Sequence, residues 1–163
     1  MPITAQSRMS NIKASIEKYI YDKLVLIEGI PVDFEEVPFE SGSQTEWIQE
    51  RIIGPGDVQF LRQVGGGADL GQNKELLLSF NCFVQRDNTT KVVRHYELRD
   101  IVYNYFTIGT SIPIYDYNDD DFVNILDYLI VFEVEDDRTI HNNEWRQYNL
   151  TLVLNYTESW TKT

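Results

Sequence analysis

The feature that most constrains this chain is an alternating stretch near its end, Glu144 to Ser159 (EWRQYNLTLVLNYTES). One set of alternate positions carries large apolar or aromatic side chains: Tyr148, Leu150, Leu152, Leu154 and Tyr156. The positions between them carry polar or β-branched side chains: Asn149, Thr151, Val153, Asn155 and Thr157. Because successive side chains of a strand point to opposite faces, the pattern predicts one long strand over 144–157. One face suits a core, and the other suits water or another protein.

Further strands are predicted before this one. The segment TEWIQERII alternates until Gly54, Pro55 and Gly56 end it, and a short strand over 58–64 follows, which could pair with its predecessor through that turn. The segment KELLLSFNCFVQR, over 74–86, is apolar on much of both faces and predicts a central strand. A short extended segment, IPIYDY, and a strand over 125–134 complete the set.

Two amphipathic helices are predicted. In the first, apolar residues recur at spacings of three and four from Met9 to Leu24, and Gly29 and Pro31 end the region. The second is capped by Asn88-Thr89-Thr90 and closed by Gly109. Its predicted buried stripe consists of Val93, Leu98, Ile101, Val102, Tyr105 and Phe106.

This order of elements predicts an α+β fold: a mostly antiparallel β-sheet, two amphipathic helices packed on one face, and a long C-terminal hairpin. We expect a single domain over 1–163, because the chain shows no internal repeat and no linker. Four glycines fall between Gly65 and Gly71, so we expect a mobile loop near 65–73.

The charge and the N-terminal sequence argue against several classes of protein. Fourteen Lys and Arg against 26 Asp and Glu give a net charge of −12, which repels phosphate backbones and anionic membranes. The start of the chain lacks the apolar core of a signal peptide, and no apolar stretch is long enough for a membrane span. We therefore expect a cytoplasmic protein, or one released from a cytoplasm.

No motif indicates catalysis. Cys82 is the only cysteine and lies among apolar residues, which favours a buried side chain over a nucleophile. The glycine cluster fits neither nucleotide-binding spacing. The acidic run 116–121 has ligand types at positions one, three and five of a calcium loop, but Asp121 stands where that loop needs glycine, so loose divalent binding stays open beside a solvated loop. We expect no enzyme activity and no cofactor.

The order of parts resembles the tail terminator (tail completion) family of long-tailed bacteriophages. The matching stretches are NIKASIEKYIYDKL, KELLLSFNCFVQR, VVRHYELRDIVYNYF and LDYLIVFEVE followed by EWRQYNLTLVLNYTES. The resemblance covers nearly the whole chain and is one of order, size and pattern.

The resemblance implies a virion protein, assembled in the host cytoplasm, that forms a hexameric ring at the head-proximal end of the tail. Its partners would be other copies of itself, the tail tube protein and a head-side neck protein, and DNA would pass through the bore without sequence-specific binding. Exposed Trp and Tyr side chains would suit such contacts. The residues we expect at the ring or tube interface are Trp47, Gly65, Gly66, Gly67, Asp69, Leu70, Trp145, Asn149, Thr151 and Asn155.

Three alternatives stay open. The first is another neck or tail-completion component. The second is a small carbohydrate- or peptide-binding module that uses exposed Tyr and Trp as stacking platforms. The third is an enzyme that uses scattered carboxylates.

Overall fold

The fold was analysed in a computed structural model that describes residues 2–55, 61–64, 69–87, 91–118, 122–137, 139–142 and 144–161. For 61–64, 69, 70 and 140 only the backbone is described. The glycines Gly65, Gly66 and Gly67 lie outside the described residues, as do the predicted helix cap 88–90 and the acidic residues 119–121.

The order along the chain is helix, strands, helix, strands, as the sequence predicts. Helix α1 spans Met9–Ile20 and continues as a π-helical segment, Tyr21–Ile27, and helix α2 spans Arg94–Tyr105. The strands are β1 (Val32–Asp33), β2 (Glu46–Ile53), β3 (Leu61–Val64), β4 (Asp69–Gln85), β5 (Ser111–Tyr115), β6 (Ile125–Asp136), β7 (Ile140–His141) and β8 (Trp145–Thr161).

Two long strands form the centre of the sheet. Strands β4 and β8 are antiparallel and pair along their whole lengths, from Asp69 opposite Thr161 to Gln85 opposite Trp145. The strand order is β1-β2-β4-β8-β6-β5, with β3 beside β4 and β7 beside β8. The pairing is antiparallel throughout the described strands except between β1 and β2. The predicted long C-terminal strand is therefore confirmed as half of the central pair.

The core lies on one face of this sheet, beneath both helices. Alternate residues of β4 and β8 point into it and are buried, as the alternation predicts: Leu76, Leu78, Phe80, Cys82, Val84, Leu150, Leu152, Leu154 and Tyr156. Helix α1 contributes Ile12, Ile16 and Ile20, and the π-helical segment after it contributes Leu24. Helix α2 and its end contribute Leu98, Val102 and Phe106. The predicted α+β class, with two helices on one face, is confirmed.

The glycine that ends the first helix has the predicted role. Gly29 adopts a φ of 68°, in the left-handed region that favours glycine. The Gly29 N–H donates to the Val25 carbonyl and the Ile30 N–H to the Leu24 carbonyl, so the last carbonyls of the helix are satisfied.

The predicted hairpin between β2 and β3 is wrong. Both strands pair with β4, β2 opposite Leu77–Val84 and β3 opposite Asp69–Gln72, so they follow one another along the same edge of it. The reason is the length of β4, which provides a pairing edge for two strands in succession.

Two further expectations need correction. Asp69–Asn73 belongs to strand β4 and pairs with β8, so the glycine-rich loop does not extend over the predicted 65–73. Val93, predicted in the buried stripe of α2, is 52% exposed and precedes the first helical residue.

Candidate functional site

The face of the sheet opposite the helices carries five of the ten predicted interface residues: Trp47, Trp145, Asn149, Thr151 and Asn155. An aromatic cluster lies at the end of this face where β8 begins. Trp47 stacks on Phe83 with ring centroids 4.8 Å apart, and Trp145 meets it edge-on at 4.1 Å. Phe39, from the segment before β2, lies 6.0 Å from the Trp47 ring.

This cluster changes the expectation for Trp47. Its side chain is only 6% exposed, because Phe39, Phe83 and Trp145 surround it. The ring is thus part of a second, smaller core and does not present a free surface to a partner. The structure does bring Trp47 and Trp145 together, and Trp145 is half-buried.

A row of polar side chains crosses four strands beside the cluster. The Asn81 amide donates to Gln49 Oε1 at 3.0 Å, and the Gln49 amide donates to Asp33 Oδ2 at 3.4 Å. On β8, the Gln147 amide donates to Asn149 Oδ1 at 2.7 Å. Asn149 is half-buried and belongs to this hydrogen-bonded polar surface.

Thr151 and Asn155 lie farther along the same face of β8. The Thr151 hydroxyl donates to Asp137 Oδ2 at 2.9 Å. Asn155 lines a recess of about 270 Å³ at the point where β6 separates from β8, together with Tyr128 and Ile130 of β6. Its Oδ1 is buried and has no hydrogen-bond partner in the described structure. Only the backbones of Asp69 and Leu70 are described, and they pair with β3 and β8.

Strand β6 carries a strip of exposed large apolar side chains that were not among the predicted site residues. The members of this β6 strip are Ile125, Leu126, Tyr128, Ile130 and Phe132. Leu129 and Val131, which lie between members of the strip in the sequence, are buried. Phe132 lies in a β-bulge and is 58% exposed. The sequence signal was present, because ILDYLIVF is apolar at both sets of alternate positions while only one set can face the core.

Acidic side chains continue the outer face of β6 beyond the strip. Glu133 and Glu135 lie close enough for the charge and hydrogen bonding of Glu133 to raise the pKa of Glu135. Asp136, in contrast, is paired with Arg99 at 2.8 Å, which lowers its pKa. The outer surface thus combines exposed large apolar side chains with neighbouring carboxylates, which suits contact with a partner better than isolated exposure to water.

Two side-chain types that could carry chemistry, the single cysteine and metal-ligating groups, can be placed in the described residues. Cys82 is buried, and burial raises the pKa of its thiol to about 12, so it is no nucleophile near neutral pH. Within the described parts of the chain, no group of three or more His, Cys, Asp or Glu side chains is placed to hold a metal ion. Asp116 accepts a hydrogen bond from the Asn118 N–H, a local turn, and the rest of the acidic run lies outside the described residues.

Comparison with known proteins adds information on the fold alone. No protein-family model matches the chain, and no curated protein sequence matches it. Several solved structures match, and one of them, of a protein whose name describes no function, does so with a TM-score of 0.61 at 9% identity. The match covers 96% of this chain and 98% of the other, so the two share an overall fold along their lengths. No helix in the described residues is long and apolar enough to span a membrane.

Proposed function

We propose that this protein is a structural component of a phage virion, a tail terminator. In this proposal its copies form a hexameric ring that caps the tail tube, ends tube polymerisation and provides the surface for joining the head. The observation that carries the proposal is the β6 strip, whose five large apolar side chains stay exposed in the single chain. Exposure on this scale marks a contact surface.

The most suitable occupant of the strip is a second copy of this chain. The strip lies near one edge of the sheet, where β5 and β6 are the last strands, whereas β2 and β3 form part of the opposite edge. Contacts between two different surfaces of identical subunits generate rings when the rotation closes. Strand β3 has no described partner on its outer side, so it offers backbone groups for such a contact.

The charge is consistent with a ring around passing DNA. A net charge of −12 per subunit is multiplied by the number of copies, and negative charge along a bore would prevent DNA from sticking. Another neck or tail-completion component would use the same surfaces, and the test below distinguishes it from a terminator by its effect on tube length.

The carbohydrate-binding alternative is less well supported. Trp47 is buried, and Trp145 and Trp160 are half-buried, so the described tryptophans offer no fully exposed ring on which a sugar could stack. Exposed rings for stacking are left to tyrosines such as Tyr21, Tyr96 and Tyr128.

The test is tube polymerisation in vitro. A tail tube protein from the same genome is polymerised with and without the purified full chain, and tube lengths are measured by negative-stain electron microscopy. We expect shorter tubes, each with a ring at one end. Unchanged length distributions and bare tube ends at a molar excess of the protein would contradict the terminator function.

A further inference from the structure

A cavity at the start of helix α2 concentrates positive and ionisable groups in an otherwise acidic protein. It has a volume of about 360 Å³ and lies between α2, β7 and the beginning of β8. Two arginines, Arg86 and Arg146, and both histidines of the chain, His95 and His141, line it together with Val93 and Tyr96. Among the described residues, no carboxylate lines this cavity.

The central group of the cavity is His95. Its side chain is 2% exposed, and neither ring nitrogen has a hydrogen-bond partner in the described structure. Buried polar groups without partners are rare in folded proteins, and one that lines a cavity indicates a missing ligand or ordered water. The helical spacing is compatible with the burial of His95, since His95, Leu98 and Val102 share one face of α2.

A second polar group of the cavity, the Nη1 atom of Arg146, is also buried without a hydrogen-bond partner among the described residues. The Arg86 side chain, in contrast, donates a 2.6 Å hydrogen bond from Nη1 to the Asn142 carbonyl. A guanidinium holds its charge at all ordinary pH values, so an unpaired buried N–H of Arg146 is costly unless an acceptor occupies the cavity.

The two histidine rings lie next to each other in this cavity. The centroids of His95 and His141 are 5.2 Å apart, and the rings meet edge to face. Burial, followed by the charges of His141 and Arg146, lowers the pKa of His95, so its ring is neutral near pH 7 and has one N–H to donate.

We propose that this cavity is an oxyanion-binding site that takes a carboxylate or a phosphate group. Arg146 and His95 would donate hydrogen bonds to its oxygens, and Arg86 would add favourable charge at the rim, where the His141 ring also lies. The apolar side chains of Val93 and Tyr96 would contact the rest of the ligand. The site does not depend on the proposed ring, and it gives this acidic protein one position at which an anionic group of a partner or a small molecule is attracted.

The test uses nuclear magnetic resonance of the two histidine rings, which a His141→Gln variant assigns. The full chain is titrated with sodium phosphate or sodium acetate, and with sodium chloride at the same ionic strength. We expect phosphate or acetate, but not chloride, to shift the His95 signals saturably and to raise the pKa of its ring. Tighter binding of acetate would identify an acidic side chain or chain terminus as the natural ligand, and tighter binding of phosphate a phosphorylated ligand.

Matched variants separate this site from general charge effects. Arg146→Gln should weaken the binding by about tenfold or more, since it removes a charged hydrogen bond. Arg8→Gln, which removes the same charge from an exposed position, should leave it unchanged. If Arg146→Gln loses its far-ultraviolet circular dichroism, Arg86→Gln takes its place. The absence of a saturable His95 shift with both oxyanions, or equal binding by the Arg146 and Arg8 variants, would overturn the proposal.

Discussion

At the scale of single residues, the most unusual group is Glu50, a fully buried carboxyl on the core side of β2. Its Oε2 accepts a 3.4 Å hydrogen bond from the Glu35 N–H, while its Oε1 has no partner in the described structure. Burial, followed by the nearby charge of Glu17, raises its pKa to about 7, although Lys13 acts in the opposite direction.

This raised pKa predicts the direction in which the free energy of unfolding changes with pH. The folded state holds the Glu50 proton up to about pH 7, whereas the unfolded chain releases it near 4.5. The contribution of the protonated Glu50 to the free energy of unfolding is therefore complete below pH 4.5 and is lost as pH rises through 7. The loss is roughly 3 kcal/mol. We expect Glu50→Gln, compared with wild type by urea unfolding, to gain relative stability between pH 4.5 and 8. A difference between the two proteins that does not change with pH would contradict this.

Trp47 provides a second prediction at this scale. Since its ring is buried among three aromatic side chains, Trp47→Ala should lower the free energy of unfolding by about 3 kcal/mol or more. Tyr21→Ala, at an exposed position, is the control and should cost about 0.5 kcal/mol or less. Equal effects in urea titrations would show that Trp47 is not a core residue.

At the scale of elements, local patterns predicted the type of each long element but not how two of them pair. Alternation identified the core faces of β4 and β8, and three-four spacing identified α1, because both patterns are set by the burial of one face. The pairing of β2 and β3 was missed because it depends on where β4 begins. That start, at Asp69, is fixed by pairing with β8 and is hidden by the neighbouring glycines.

In the candidate site, too, the local pattern predicted the face on which a strand residue lies but not which distant segments meet. Asn149, Thr151 and Asn155 were predicted on the outer face of the last strand, and the structure places them there. The burial of Trp47 was not predictable, because Phe39 reaches it from a segment with no regular pattern.

The long strand β4 should differ in stability along its length. Residues Leu76–Val84 lie over the core between β2 and β8, whereas Asp69–Asn73 precedes the first core residue of the strand. We expect amide hydrogen exchange to be slower in 76–84 than in 69–73. Uniform protection along β4, measured by mass spectrometry of the full chain, would show that its two ends open as one unit.

At the scale of the whole molecule, the proposed function requires self-association through the β6 strip. A free chain exposes five large apolar side chains there, and no other strand of the described structure exposes as many. Phe132→Ser should weaken association, because it removes a 58% exposed ring from the strip. Leu26→Ser, at a 63% exposed position on the segment that follows α1, is the matched control and should associate like wild type.

The most direct measurement is native mass spectrometry of the full chain over a range of concentrations, with and without tail tubes. The account predicts a six-subunit species for wild type and for Leu26→Ser, and its loss in Phe132→Ser. A protein that stays monomeric at every concentration and in the presence of tubes would contradict the central claim.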